Sequence, residues 1–479
     1  MSSRKDPAPP GRRRFLKGLV GVPALALFGG GIACSRQGRE NLMQEADFDT
    51  RVPPSPRPGS DPLRVGIIGV GRRGRFLLKH CLTADLNVTV VGICDVFDVH
   101  ADDALTLSRQ HAHKPRRYRT YHELVAAPGV DAVIIATPDH WHATMALAAA
   151  QANKHVYVEK CLGHRLGELI ELRRVIKRAP IVLQVGHQHR QTAHFLAARA
   201  ALRSDLVGHV RIAEVTTRRW AGGGAWQAPV HAQASAHSID WRQFVGSAPA
   251  VSFDAERFFR WRKWWDYGAG LASDALAEDF DRLNGVMHLG IPSAVTASGG
   301  VYAHDDGREV PDVLHVGLEF PNHRVASGGE QGMAMVYNAA LGTDAARHAA
   351  LTGHHATLHW DTALTMQSTP APPRRRDAVL LYAPRHSAAH NAAAAVSDDQ
   401  ITWRHGRLYD ASYLHLREWI DCVRHGGAPS CGIDAGFEEA VTIHMATLAY
   451  RLNRRVEWDH QALKLRNVTR QELESLRLS

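Results

Sequence analysis

LRVGIIGVGRRG, residues 63–74, is the stretch on which the reading of the whole chain turns. Val65, Ile67 and Ile68 form a short apolar run of buried-strand type. The run ends in Gly69-Val70-Gly71-Arg72-Arg73-Gly74, and helix-like sequence follows through Leu77 and Leu78. In a strand, tight turn and helix of this kind, the first glycine makes the turn, the second admits a pyrophosphate to the backbone, and the third lets helix and strand pack closely. A second strand-like run, Val88 to Cys94, ends at Asp95, 21 residues beyond Gly74. An acid there accepts hydrogen bonds from ribose hydroxyls and repels a 2′-phosphate, which favours NAD over NADP. Arg72 and Arg73 stand close enough in sequence to reach such a phosphate, so NADP remains the less favoured cofactor.

Outward from this unit, apolar runs alternate with helical segments as far as Gly186, the pattern of a parallel sheet covered by helices. Ala132 to Ala136 is followed by Thr137-Pro138-Asp139-His140-Trp141-His142, His155 to Val158 by Glu159-Lys160-Cys161, and Ile181 to Gly186 by His187-Gln188-His189-Arg190. Three strands thus deliver polar residues to the rim that carries the glycine loop, and convergence of this kind marks a site better than any one motif. Thr137, Pro138, His142, Glu159, Lys160 and Gln188 are assigned to the cofactor side of that rim, with His187 and His189 on the substrate side. HxH pairs invite a metal reading, but the sequence supplies no matching acid or thiol ligand, so no metal site is assigned.

The chain has 479 residues, too many for one core. With 45% hydrophobic and 22% charged residues it has the balance of a globular protein. Of the formal charge of +9, residues 1–34 contribute +5 through Arg4, Lys5, Arg12, Arg13, Arg14 and Lys17 against Asp6, leaving +4 for the remainder. That surplus is too small to indicate a nucleic-acid partner. The six cysteines show no CxxC spacing and no disulfide framework. Residues 11–17, GRRRFLK, followed by an apolar stretch to Ala33, match a twin-arginine export signal, which predicts a periplasmic or otherwise extracytoplasmic protein. Cys34, after Gly31-Ile32-Ala33, is a candidate lipid-anchor residue. The expected organisation is a signal over 1–34, a proline-rich linker over 35–62, a Rossmann domain over 63–186, an α+β substrate domain over 187–460 with a large open, mostly antiparallel sheet, and a tail over 461–479. Residues 367–398 read as a long excursion.

The ordered set GVGRRG, TPDHWH, EKC and WWDYGAGLASDALAEDFD resembles the glucose-fructose oxidoreductase, inositol dehydrogenase and MocA family (Gfo/Idh/MocA), over roughly residues 63–460. The resemblance implies a Rossmann domain followed by an α/β domain whose open sheet often forms a homo-oligomer interface. It implies a tightly held nicotinamide cofactor and sugars, inositols or related polyols as substrates. Lys160 then matches the lysine beside the nicotinamide that hydrogen-bonds the reacting hydroxyl or carbonyl, with Cys161 where the family has proline. Asp274 and Glu278 occupy the places of the family's Asp-x-x-x-His pair. At four-residue spacing they share one helix face, and desolvation that raised a carboxyl pKa would make either a general base assisting Lys160. The alternative to a working dehydrogenase is a redox-neutral glycosidase or lyase of the same fold, or a carbohydrate-binding protein without catalysis.

Six of the eleven tryptophans, Trp220, Trp226, Trp241, Trp261, Trp264 and Trp265, fall within one stretch of 46 residues, interleaved with Arg260, Arg262, Lys263 and Tyr267. Aromatic faces stack on sugar rings while arginine donates to hydroxyls or carboxylates, and Arg260, Trp265 and Tyr267 are the residues assigned here to the substrate. At least half of these tryptophans are expected to form a satellite core instead.

Overall fold

Buried apolar runs and interleaved helices build the first sheet as their pattern predicts. The computed structural model describes residues 61–478 except 204–205, 220–224, 325–329, 344–345, 362–363, 369–377, 383–400 and 405–406. The export signal, Cys34, the linker to Ser60, Trp220 and most of the 367–398 excursion lie outside the described residues.

Strands β1 (Leu63–Ile68), β2 (Val88–Cys94), β3 (Arg116–Tyr118), β4 (Ala132–Ile135), β5 (His155–Val158) and β6 (Leu183–Val185) form one sheet in the order β3-β2-β1-β4-β5-β6, with every pair parallel. The order reverses beside β1, and ligands of doubly wound sheets bind at such a switch point, outside the strand carboxyl ends. Helices α1 (Arg72–Cys81), α2 (Asp98–Gln110), α3 (Tyr121–Ala126), α4 (Asp139–Gln151) and α5 (Leu166–Ile176) make the crossovers. Val65, Ile67, Val133 and Ile134 are fully buried, as strands covered on both faces require.

After α6 (Ala193–Arg203), β7 (Val210–Arg219) enters a second, mixed sheet. Its helix α7 (Ala277–Met287) precedes β8 (Ala294–Gly300), β9 (Val313–Arg324), β10 (Glu330–Leu341), β11 (Ala346–Gly353), β12 (Ala356–Trp360), β13 (Leu364–Ser368) and β14 (Ala378–Tyr382). A separate hairpin, β15 (Ile401–Arg404) and β16 (Arg407–Asp410), leads to α8 (Ala411–His425) and α9 (Ile433–Leu452), and β17 (Val456–Asp459) and β18 (Lys464–Leu465) close the chain's strands. The large sheet has ten strands in the order β14-β13-β12-β11-β7-β10-β9-β8-β17-β18. All its neighbours are antiparallel except β7 and β10.

Three boundaries differ from the sequence expectation. The excursion contains β14, which pairs with β13. The first domain does not end at Gly186, because Tyr413, Leu416, Trp419 and Ile420 of α8 return across more than 200 residues to share a core with Val65, Leu77 and Ile134. Residues beyond 460 are no loose tail: Leu465 and Leu478 are buried in the main core, and helix Arg470–Ser475 is fixed by a capping box between Thr469 and Glu472.

Candidate active site

The glycine loop shows the features a dinucleotide needs. Gly69 has φ +79°, and a Cβ on Gly74 would lie 1.8 Å from the Gly69 carbonyl oxygen, so only glycine permits this approach of α1 to β1. A Cβ on Gly71 would meet nothing nearer than His100 at 3.6 Å, and no side chain caps α1 there. The loop therefore leaves the α1 amides uncovered where a pyrophosphate would rest. Asp95 takes one hydrogen bond on each oxygen, from the Val70 N–H at 2.7 Å and the Phe97 N–H at 2.8 Å. These bonds fix the carboxylate beside the loop, and each oxygen keeps a lone pair for a ribose hydroxyl. The residues present fit a nicotinamide dinucleotide.

Arg73 belongs to a different structure. Its guanidinium donates to Glu159 Oε1 at 2.9 Å, Gln188 Oε1 at 3.1 Å and Ser412 Oγ at 3.1 Å. It ties the loops after β5 and β6 to α8 and is not free to reach a 2′-phosphate; Glu159 and Gln188 serve as its acceptors. Arg72 is exposed at the first position of α1. Thr137 and Pro138 lead into α4, with Pro138 at its N-cap. The His142 ring is 2.8 Å from the Thr137 carbonyl oxygen and 2.7 Å from that of Cys161, so it pins the loop after β4 to the loop that carries Lys160.

Lys160 is the centre of the site. The Lys160–Cys161 peptide bond is cis. The ammonium donates to the main-chain carbonyls of Ser273 at 3.0 Å and Asp274 at 2.7 Å, both in a π-helical turn, Ala272–Leu276, that leads into α7. Such turns are uncommon and concentrate at functional sites. Asp274 Oδ1 lies 3.6 Å and Glu278 Oε1 3.7 Å from Nζ. Burial opposes the charge on Lys160, but Asp274, Glu278 and Asp139 outweigh it and hold its pKa above the ordinary lysine value.

The two carboxylates do not have the raised pKa expected of a general base. Asp274 accepts from Arg219 Nη1 at 2.8 Å, Trp226 Nε1 at 3.0 Å and Arg262 Nε at 3.2 Å. Glu278 faces Arg347 at 3.3 Å, Arg219 at 3.6 Å and His189 at 3.6 Å. Burial by itself would push both pKa values up, yet Lys160 and the arginines drive them well below the carboxylate range. Both are committed anions that anchor Lys160. Behind them Asp279 accepts from Thr217 Oγ1 at 2.6 Å and Arg347 Nε at 2.8 Å, which fastens α7 to β7 and β11.

His189 therefore stands at the site beside Glu278, but His187 does not. Its ring is 2% exposed and faces Asp281 at 3.7 Å and Glu439 at 3.8 Å, beneath the sheet rim. The other substrate residues assigned from sequence also lie elsewhere. Tyr267 is fully buried among Phe97, Phe244 and Trp264. Trp265 packs beside Tyr450, with Arg451 over its ring at 5.1 Å. Arg260 is held by Glu256 and the Ala228 carbonyl. From the same stretch the structure brings Trp226 and Arg262 to Asp274, while Trp241 and Trp264 belong to the satellite core. Trp226 has φ +63°, a strained conformation for a tryptophan at a position that hydrogen-bonds the site.

Arg219 and Arg347 went unrecognised in the sequence. Thr217 and Arg219 alternate along β7, so strand periodicity places them on one face. That Arg347 lies opposite Thr217 is a matter of β7–β11 pairing, which no local pattern discloses.

A model of an oxidoreductase family with an NAD-binding Rossmann fold, Gfo/Idh/MocA, matches residues 63–187. Residues 63–187 are thus similar to the NAD-binding domain of that family. Myo-inositol 2-dehydrogenase of Thermotoga maritima is 28% identical over 156 residues, 33% of this chain and 45% of that protein. A glycosyl hydrolase family 109 protein of Shewanella amazonensis is 30% identical over 244 residues, 46% of this chain and 51% of that protein. The chain spans about half or less of the length of such curated relatives. Levoglucosan dehydrogenase in complex with NADH superposes with a TM-score of 0.60 at 17% identity, over 83% of this chain and 99% of that one. That likeness is one of fold, and it extends through the second domain.

Proposed function

We propose that this chain is an NAD-dependent oxidoreductase of the Gfo/Idh/MocA family acting on a sugar, polyol or sugar derivative. The observation that carries the reading is Lys160, protonated and aimed by two main-chain carbonyls and two anions at the strand edge that also bears the dinucleotide loop. Bound dinucleotide supplies the hydride acceptor or donor, with Gly71, Asp95 and the α1 amides as the holding groups. Lys160 supplies the proton to a carbonyl oxygen as it becomes a hydroxyl, and in its ammonium form it stabilises an alkoxide. Asp274 and Glu278 keep that ammonium charged and in place, and Trp226 holds Asp274 through its indole N–H.

Because the Lys160 pKa is raised, the protonated form persists into alkaline solution. Reduction of a ketose should therefore fall, and oxidation of the alcohol rise, only as pH climbs through the alkaline range. Lys160→Met should lower kcat by ~10²–10⁴-fold while retained dinucleotide, measured after dialysis and acid release, stays the same. Unchanged kcat in that variant refutes the assignment.

The glycosyl hydrolase relatives favour a second reading, in which a sugar hydroxyl is oxidised and later restored around the loss of a glycosidic substituent. Cleavage of a glycoside without net change in the reduced-nicotinamide absorbance distinguishes it. We further propose export by the twin-arginine leader, with Cys34 as a lipid anchor, retention of the cofactor across turnovers, and homo-oligomerisation through the ten-stranded sheet, where buried residues of β10 alternate with partly exposed ones and Val336 is exposed. Among the described residues no helix is long and apolar enough to cross a membrane.

A further inference from the structure

Lys160 sits among closely spaced charges of both signs, Asp139 included. Lys160, Arg219, Arg262 and Arg347 converge on Asp274, Glu278 and Asp279, and Arg282 also faces Asp279 at 3.5 Å. Most of these cations are committed to carboxylates. Arg262 is committed through one nitrogen alone. Its Nε donates to Asp274 at 3.2 Å, and its guanidinium lies 4.2 Å above the Trp261 ring. Nη1 and Nη2 have no partner among the described residues, and 38% of the side chain is open to solvent.

Stacking on Trp261 and the Nε bond together fix the plane of the guanidinium, so its free edge is presented before anything binds. Arg262 Nε and the Lys160 ammonium face the same oxygen, Asp274 Oδ1, at 3.2 and 3.6 Å, so the edge lies close to Lys160. A Cβ on Gly268 would lie 2.8 Å from the Trp261 ring and 3.1 Å from Asp139 Oδ2, which places Trp261 and the Arg262 above it against the start of α4. Arg262 also interacts electrostatically with both Lys160 and Asp139. A planar donor pair held in a fixed plane suits two oxygens that share one negative charge.

We propose that Arg262 receives an anionic substituent of the substrate, a carboxylate or phosphate, so that this site selects acidic sugars over neutral polyols. The inference rests on the oxidoreductase reading of the Lys160 site and names its substrate class. A neutral hydroxyl would offer the two nitrogens a weaker acceptor.

The test uses the purified protein with its retained dinucleotide and three probes, D-glucuronate, D-glucose 6-phosphate and D-glucose, with D-galacturonate and D-galactose as a second pair. Two readouts are taken: kcat/KM from reduced-nicotinamide absorbance, and quenching of tryptophan fluorescence by each probe, which needs no turnover. The expected result is an acid-to-neutral kcat/KM ratio of roughly 10–100, from charge-assisted hydrogen bonds worth about 1.5–3 kcal/mol. Preference for the uronates identifies a carboxylate, and preference for the sugar phosphate identifies a phosphate. Arg262→Met should bring the ratio near one, chiefly through KM, and Arg262→Lys should restore only part of it because the planar fork is lost. Equal turnover of acidic and neutral sugars by the parent, or an unchanged ratio in Arg262→Met, overturns the proposal. If no probe is oxidised, the oxidoreductase reading fails by itself; quenching by an acid that disappears in Arg262→Met still supports the anion site, and no quenching by either acid overturns it.

Discussion

Glu278→Gln is the perturbation that most directly tests the idea of a committed anion. Glutamine keeps the shape and one carbonyl oxygen but removes the charge facing Lys160, Arg219, Arg347 and His189 at 3.3–3.7 Å. With an effective dielectric constant near 20, each full cation at such a distance contributes about 4–5 kcal/mol of attraction. Burial of the carboxylate offsets much of that sum, because the side chain is only 16% exposed. Removing one member of a buried ionic group leaves the others uncompensated and costs about 3–5 kcal/mol. The expected loss is therefore ~3 kcal/mol at neutral pH, read from urea unfolding followed by tryptophan fluorescence.

The sign of the pH dependence follows from the direction of the shift. The folded-state pKa of Glu278 is depressed below an unfolded value of about 4.3, so its stabilisation is complete above ~pH 5 and declines as pH falls below 4.3 toward the folded value. The gap between parent and variant should narrow on acidification in the same way. Lys160 loses one of the carboxylates that hold its proton, so the alkaline limb of sugar oxidation should move to lower pH. A loss under about 1 kcal/mol, or a gap that does not depend on pH, would refute the reasoning and restore Glu278 as a protonated acid or a working base.

Gly74→Ala places a methyl group 1.8 Å from the Gly69 carbonyl oxygen, so α1 must move off the loop. Retained dinucleotide should fall at least about tenfold, a change equivalent to ~1.4 kcal/mol, within the usual cost of overpacking, while far-ultraviolet circular dichroism is kept. Asp281→Asn breaks the bidentate pair with Arg190, in which Arg190 Nη2 and Nε lie 2.6 and 2.9 Å from the carboxylate in a buried setting. A destabilisation of about 3–5 kcal/mol is expected in urea unfolding at neutral pH. Because Arg190 depresses the Asp281 pKa, that cost too should diminish on acidification.

Much of the first domain was legible because its signals are local. A buried strand ending in GxGxxG, an acid 21 residues on, and three further strands ending in polar residues specify a parallel sheet and the rim where its ligand lies. Lys160 at the end of β5 follows from the same short-range geometry, whereas Asp274 and Glu278 were marked by the family resemblance, and the structure puts Asp274 in the π-helical turn ahead of the helix that carries Glu278. The ionisation of those carboxylates was not legible. It depends on Arg219, Arg262 and Arg347, which arrive from three separate places in the chain. The tryptophan-rich stretch shows the same limit. Its composition announces aromatic packing, but which rings face the site is settled by a satellite core formed around Phe97, so Trp226 and Trp261 reach the site while Tyr267 is buried.

What the sequence by itself determined is therefore the parallel sheet, its ligand-bearing rim and the place of Lys160 on that rim, since period, turn chemistry and spacing are properties of neighbouring residues. What only the tertiary structure decided is the charge state of the site and the closing of the first core by α8. Both arise from groups far apart in the chain that meet in a low-dielectric interior, where a neighbour at 3 Å outweighs any intrinsic preference of the residue itself.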